Sequence, residues 1–357
     1  MASKHKTIRL GIIGCGRVAE ERHLPALQNL KDVQVVAAAD IDANNLNSIA
    51  NRFGIEQRFS DYRALLDRAN VDAVGVLTPT QSHAEIGLAA LEADKHVLIE
   101  KPLALNLTEC DQLIARGANS SCKVVVGFNL RWHRLVQRAC EFIQSGALGR
   151  IKAIHSVYTQ YRLGENAPDW HRKLKLGGGV SFNEAVHHFD LWRYLIKSEV
   201  EQVFSFSRPS SHYEDETHVT NACLSNGALA TGVFTFKTSP TSEVEIYGEN
   251  GRLHLSLYRF DGFEFFPHDI YPGNIMDRLK KTMFTFVELP RSIPIMLRGG
   301  DFAATFYYLW EHFIDCINRD KASECTLEDG KRALQASLAA MESVSSAQPV
   351  EIRIGDI

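Results

Sequence analysis

The sequence predicts two domains, a doubly wound α/β unit followed by an α+β unit built on an open, largely antiparallel sheet. Three observations lead there. Apolar runs alternate with amphipathic stretches through the first third of the chain, a pattern that folds as parallel strands with helical crossovers. From Arg150 onward, extended runs are joined by short turns, which favours antiparallel pairing. The chain of 357 residues also exceeds what one ordinary hydrophobic core organises. We place the boundary near Asn129, giving domains over 1–128 and 129–357.

The elements follow in order. Ile8 to Ile13 is an apolar strand, and Val33 to Ala39 a second. Asn44 to Phe53 reads as a helix closed by Gly54, and Tyr62 to Leu66 as a shorter one. Asp72 to Leu77 is a buried strand ending in the loop Thr78-Pro79-Thr80-Gln81-Ser82-His83, followed by a helix over Ala84 to Ala93. His96 to Ile99 is the next strand, ending at Glu100-Lys101-Pro102. A helix over Leu107 to Ser120 leads to a strand over Lys123 to Gly127. In the second domain, strands are predicted over 151–162, 200–208, 222–224, 228–237, 242–247 and 252–257. Asn226-Gly227 and Glu249-Asn250-Gly251 supply hairpin turns, and a helical tail runs from Phe302 to Val344.

Composition excludes several classes of function. The net charge of −4 and a 23% share of charged residues give no electrostatic reason to bind nucleic acid. No run has the length of a membrane span, and no secretory leader precedes the first strand. Seven cysteines without a C-x-x-C pair predict a reducing, cytoplasmic setting. No metal site is predicted. The segment Asn274 to Gly300 stands apart, with five basic residues against Asp277 and Glu288 among many apolar ones. It reads as an insertion packed on the sheet or at a subunit interface, and contact with an anionic membrane surface is the alternative.

The most informative run is Gly14-Cys15-Gly16-Arg17-Val18-Ala19, directly after the first strand. Two glycines permit a tight turn and close approach of a pyrophosphate, small Ala19 lets the helix pack on the strand, and the helix N-terminus faces the phosphates. Asp40, ending the second strand, is placed to accept hydrogen bonds from an adenosine ribose. Its carboxylate suits NAD and repels a 2′-phosphate, with Ile41 supplying no compensating charge. Arg17 keeps NADP open. The fold expected of residues 1–128 is therefore a Rossmann domain. Cys15 reads as a small buried thiol.

Hydride removal from a secondary alcohol also requires a base for the hydroxyl proton and a cation for the developing alkoxide. Lys101, at the carboxyl end of a strand and stiffened by Pro102, fits the second need. His187, titrating near neutrality, fits the first. Asn183, His187 and Asp190 share one face of a helix that begins after Gly177-Gly178-Gly179. His188 points elsewhere and reads as structural.

Gly14-Cys15-Gly16 with Ala19, the Glu100-Lys101-Pro102 triplet, the glycine triplet followed by His187 and Asp190, and Tyr247-Gly248-Glu249-Asn250-Gly251 together resemble the Gfo/Idh/MocA oxidoreductases. The resemblance covers nearly the whole chain. It implies a nicotinamide-dinucleotide domain, a second domain with an open sheet, and redox chemistry at a hydroxyl-bearing carbon of a sugar, cyclitol or sugar nucleotide. It also implies a homodimer or homotetramer formed through that sheet. Two other readings stay open, a glycoside hydrolase that oxidises its substrate transiently with held NAD, and a non-catalytic dinucleotide-binding regulator.

The resemblance implies the supporting residues too. Gly14, Gly16, Arg17, Val18 and Asp40 would hold the dinucleotide, with Thr78, Pro79, His83, Glu100 and Lys101 beside the nicotinamide and ribose. Asn129 and Arg131 would begin the second domain at the cleft, Arg131 meeting substrate. Trp170 and Arg172 would reach cofactor or substrate. Many relatives have Asp where this chain has Asn183. An amide cannot take a proton but can orient the substrate hydroxyl or His187.

Overall fold

The computed structural model describes residues 6–353, apart from 163, 166, 270–274, 277, 278, 280, 281, 284, 285, 288, 291, 292 and 294–299. The chain divides into two compact units. The first comprises residues 1–129 and 306–334, the second 130–305 and 335–357.

The first unit contains β1 (Ile8–Ile13), a π-turn over Ala19–His23 running into α1 (Leu24–Leu27), β2 (Val33–Ala39), α2 (Ala43–Phe53), β3 (Gln57–Phe59) and α3 (Tyr62–Arg68). It continues with β4 (Ala73–Val76), α4 (His83–Glu92), β5 (His96–Ile99), α5 (Leu107–Ala118) and β6 (Val124–Val126). The six strands pair in parallel in the order β3-β2-β1-β4-β5-β6. Strand order reverses between β1 and β4, where the loops after Ile13 and Val76 diverge and leave the crevice in which such sheets bind ligands. The central strands are largely apolar because helices cover both faces; all of β4 is buried. Local chemistry sets the helix ends. Asp42 caps α2 by accepting from the N–H groups of Asn44 and Asn45, and Gly54 ends it at φ 68°. The three-residue β3 is too short and too polar to be seen as a strand in the sequence.

The second unit contains α6 (Arg134–Gln144), β7 (Ile151–Tyr161), α7 (Asp169–Arg172) and α8 (Val186–Ile196), then β8 (Val200–Arg208), β9 (Thr217–Leu224) and β10 (Leu229–Thr235). After these come β11 (Lys237–Gly248), β12 (Gly251–Ser256), β13 (Phe263–Pro267) and, near the chain end, β14 (Val350–Glu351). They form an eight-stranded sheet in the order β13-β12-β11-β7-β10-β9-β8-β14. All neighbours are antiparallel except β7 and β10. Both predicted hairpin turns fall between paired strands. β13 and β14 were not anticipated; each is an edge strand, stabilised by its single neighbour more than by its own pattern.

Helix α8 is buried along nearly its whole length. Trp192 donates from Nε1 to Ser156 Oγ on β7 at 2.9 Å, and Phe189 packs edge-on against Phe234. Beside them His188 is fully enclosed, 5.3 Å from the Phe234 ring and 6.1 Å from Tyr158. Among the described residues neither of its ring nitrogens has a hydrogen-bond partner. Burial pushes its pKa down to about 3, bearing out the structural reading of this histidine. The unfolded chain then binds a proton between about pH 6.5 and 3 that the folded chain refuses, so folded stability must fall as pH falls through that window. We expect the melting temperature to drop below about pH 6, and His188→Phe to flatten that drop. An unchanged slope in the variant would count against it.

Two long helices close the chain, α9 (Gly300–Asn318) and α10 (Leu327–Ser346), rather than one continuous tail. Residues 306–334 belong to the first unit, which corrects the assignment of all of 129–357 to the second domain. The physical reason is burial: Leu309, Trp310 and Phe313 are fully enclosed, and the Val126 N–H donates to the Cys325 carbonyl at 3.1 Å beside the sheet edge. Amphipathic periodicity shows that a helix has a core face but does not say which core receives it.

The segment 274–300 lies partly outside the described residues. Those described between 275 and 293 are helical, and Ile275, Met276, Leu279, Met283, Phe286 and Val287 are exposed. In these residues the packing on the sheet that we expected from the sequence is not found.

Candidate functional site

The turn after β1 is built for close approach. Gly14 has φ 98°, and a Cβ there would lie 2.7 Å from the Leu77 carbonyl carbon and oxygen, so any side chain would collide with main chain. Gly16 differs: a Cβ there would meet nothing within 4 Å. The fold does not need that glycine for its own packing. The open position next to the start of a helix is the cradle that a dinucleotide phosphate requires, so these residues fit the cofactor.

Asp40 braces this turn. Its Oδ2 accepts the Cys15 N–H at 2.6 Å and its Oδ1 accepts the Asp42 N–H at 2.7 Å. A carboxylate has further lone pairs, so the same group can take ribose hydroxyls. Burial, with Asp40's charge adding to it, pushes the Cys15 thiol up to about 12, consistent with an inert packing role. Arg17 is exposed and pairs with Glu21 at 2.8 Å, while Val18 is exposed at the helix start.

The loop after β4 is held by Ser82, whose hydroxyl contacts Thr78 Oγ1 and the Pro79 carbonyl, both at 2.9 Å. His83 is buried, with Nδ1 2.7 Å from the Pro102 carbonyl and Nε2 2.7 Å from the Thr78 carbonyl. We expected His83 to contact the cofactor; the structure makes it a strut tying the loop after β4 to the loop after β5. Burial pushes its pKa below the ordinary value, against the pull of the two carbonyls toward a second proton.

The Glu100-Lys101-Pro102 loop follows β5, with a cis Lys101-Pro102 peptide. Glu100 is buried; its Oε2 accepts the Lys101 N–H at 3.0 Å and its Oε1 faces His23 Nε2 at 3.0 Å. Burial alone would raise its pKa, but the His23 contact, the Lys101 charge and the Lys101 N–H outweigh it, and the carboxyl lies below its ordinary value. Asn129, at the end of this unit's first segment, is buried and donates its N–H to the Gly127 carbonyl at 2.9 Å.

In the second unit the glycine triplet brings two segments into contact. A Cβ on Gly178 would lie 2.6 to 2.8 Å from the main chain of Trp170, His171 and Arg172, so the triplet lets that segment lie against the entry to the π-turn Ser181–Ala185. Asn183, within this turn, closes the arrangement by donating from Nδ2 to the Gly179 carbonyl at 2.8 Å and the His171 carbonyl at 3.2 Å. Two carbonyl acceptors require the amide nitrogen on that side. An aspartate would set a carboxylate oxygen against both, so asparagine suits this turn better than aspartate would.

His187 follows at the start of α8 and is buried. Asp190, one turn on, receives two hydrogen bonds from Arg131, from Nε at 2.8 Å and Nη2 at 2.5 Å. The Arg131 guanidinium also lies 4.9 Å above the Tyr194 ring. Its planar fork is thus engaged with Asp190 inside this unit and seats α8. Trp170 is half-buried with its ring against His171, and Arg172 donates to Asp169 at 2.6 Å. Arg162, unremarked in the sequence, joins Glu184 at 2.6 Å and His171 at 2.5 Å. A single arginine just past the end of β7 carries no local signal for such a role. Among the described residues no cluster of side chains could hold a metal ion.

Comparison with known proteins agrees with both units. Residues 8–128 match an oxidoreductase family with an NAD-binding Rossmann fold, and residues 136–254 match the GFO/IDH/MocA C-terminal domain. The chain is 26% identical over 358 residues to myo-inositol 2-dehydrogenase of Thermotoga maritima, covering 97% of this chain and 98% of that one. It is 30% identical over 253 residues to dTDP-3,4-didehydro-2,6-dideoxy-alpha-D-glucose 3-reductase of Actinomadura kijaniata, covering 70% and 74%. Its fold matches that of the WlbA dehydrogenase from Bordetella pertussis in complex with NADH and UDP-GlcNAcA, with TM-score 0.82, 21% identity and 98% and 99% coverage. With the dinucleotide turn, the glycine triplet and both domain matches in order along one sequence, the chain belongs to the GFO/IDH/MocA family of NAD-binding oxidoreductases.

Proposed function

We propose that the protein transfers hydride between NAD and a hydroxyl-bearing carbon of a sugar, cyclitol or sugar nucleotide, with Lys101 and His187 handling the hydroxyl proton and the charge it leaves. The observation that carries this reading is a family match in both units, each of which brings one proton-handling side chain: Lys101 on the loop after β5 and His187 at the head of α8. The substrate classes are those named for the relatives above.

When bound, the nicotinamide supplies the hydride acceptor. The dinucleotide is held by Gly14, Gly16, Arg17, Val18 and Asp40, with Thr78, Pro79, Glu100 and Asn129 shaping the nicotinamide end. In the oxidative direction His187 takes the hydroxyl proton as the C–H bond gives up hydride, and the Lys101 ammonium stabilises the negative charge developing on the same oxygen. Reduction runs the same proton path backward. Asn183 positions His187 by fixing the π-turn, and Trp170 and Arg172 border the substrate. Asp40 favours NAD over NADP, and titration of both dinucleotides checks this. Measuring nicotinamide absorbance against panels of inositols, free sugars and nucleotide sugars tests the reading; no turnover with any panel would count against it.

A second copy of the chain is the partner we assign to the open sheet. Tyr161, Phe206, Leu229 and Tyr247 are exposed on one face, on strands whose alternate residues are buried. The exposed apolar residues described between 275 and 293 are further surface that we assign to such a partner rather than to an anionic membrane. Light scattering after gel filtration should show a dimer or tetramer, and Phe206→Glu should shift it toward monomer. A wild-type monomer would refute the assignment. No helix among the described residues is long and apolar enough to cross a membrane. All seven cysteines are unpaired, which supports a cytoplasmic location.

A further inference from the structure

Three buried groups of the first unit stand in line behind Lys101. Trp310 on α9 approaches His23 with Nε1 3.1 Å from Nδ1. His23, which ends the π-turn after β1, presents Nε2 to Glu100 Oε1 at 3.0 Å. Glu100 in turn accepts the Lys101 N–H at 3.0 Å. His23 and Trp310 are fully enclosed, and Glu100 is 6% exposed.

The chemistry of the donors fixes the protons. Indole nitrogen can only donate, so His23 Nδ1 must accept, and its single ring proton sits on Nε2, facing the carboxylate. A second proton on His23 would set two N–H groups against each other. Trp310 thus turns the donor side of His23 toward Glu100 Oε1. The surroundings are shaped to this line. A Cβ on Gly127 would lie 2.9 Å from Glu100 Oε1, and one on Gly75 would lie 2.8 Å from the Trp310 ring. The His23 ring also meets Phe306 edge-on at 5.0 Å, which holds it between the two polar contacts.

We propose that His23 and Trp310 are positioning residues, which hold Glu100 as a buried carboxylate that orients the Lys101 loop and stabilises the Lys101 ammonium. The loop after β5 is thus set, through His23, by a tryptophan 287 positions from that histidine, on a helix that the sequence alone assigns elsewhere. The inference rests on the reading that Lys101 meets the substrate hydroxyl, but its test needs no substrate.

Competitive acetylation of the dinucleotide-free protein across pH, read by mass spectrometry of the Lys101 peptide, gives the protonation midpoint of Lys101. In His23→Ala the carboxylate loses the donor that fixes it behind the loop, so its counter-charge is no longer held beside Lys101. Its midpoint should fall by about half a pH unit or more. Glu100→Gln, which keeps the shape and removes the charge, should fall similarly. His23→Gln offers one donor and one acceptor in place of the neutral imidazole and should restore the wild-type midpoint, which a role in packing alone would not do. A midpoint unmoved in Glu100→Gln, or equally low in His23→Gln and Glu100→Gln, overturns the proposal. Should His23→Ala fail to fold, those two variants carry the test. Failure of the hydride-transfer reading would instead appear as undiminished turnover in Lys101→Ala, whatever the midpoints.

Discussion

Lys101→Ala and His187→Ala are each expected to lower kcat by about a hundredfold to ten-thousandfold, the range that a positioned acid or base contributes. Dinucleotide affinity should stay within about twofold of wild type, because neither side chain builds the phosphate turn. On the proposed mechanism the two losses should not multiply in the double variant. Steady-state kinetics with a substrate found in the panels, together with calorimetric titration of NAD, distinguishes the possibilities. Retained turnover in both single variants would remove the mechanism.

The second large effect concerns two glycines that look equivalent in the sequence. Gly16→Ala should leave the melting temperature nearly unchanged, since its Cβ meets nothing within 4 Å, while weakening dinucleotide binding. Taking the steric cost of the added methyl as about 1 to 3 kcal/mol, the loss is about tenfold to a hundredfold in Kd. Gly14→Ala should do the reverse first: at φ 98° and 2.7 Å from the Leu77 carbonyl, the methyl strains the turn and lowers the melting temperature before any ligand is added. Thermal melts with and without NAD compare the two directly. A Gly16→Ala protein that binds NAD like wild type would show that the open position is not the phosphate seat.

Much of the first unit was legible because its signals are local. The alternation of apolar strand and amphipathic helix from Ile8 to Val126, the helix end at Gly54, and the Gly14-to-Ala19 turn each depend on residues close in sequence. The same holds for the hairpins at Asn226-Gly227 and Glu249-Asn250-Gly251. The edge strands β13 and β14 were missed because their stability comes from one distant neighbour. Among the site residues, the placement of Lys101 at a strand end and His187 at a helix start followed from order along the chain. The contacts of His83 and Arg131 were not legible because a polar residue in a functional motif gives no local sign of which protein group it meets.

The sequence by itself determined the fold class, the family, the dinucleotide turn and the side chains able to handle a proton, since these depend on residue type and short spacing. Only the tertiary structure decided which groups those side chains actually meet. It gave Asp40 a second duty under the Cys15 N–H, committed Arg131 to Asp190, turned His83 into a strut between two loops, and brought Trp310 against His23. Each is a contact between residues far apart in sequence. Such contacts are selected by the geometry of the whole core, where a donor left without an acceptor is costly, rather than by the pattern around either residue.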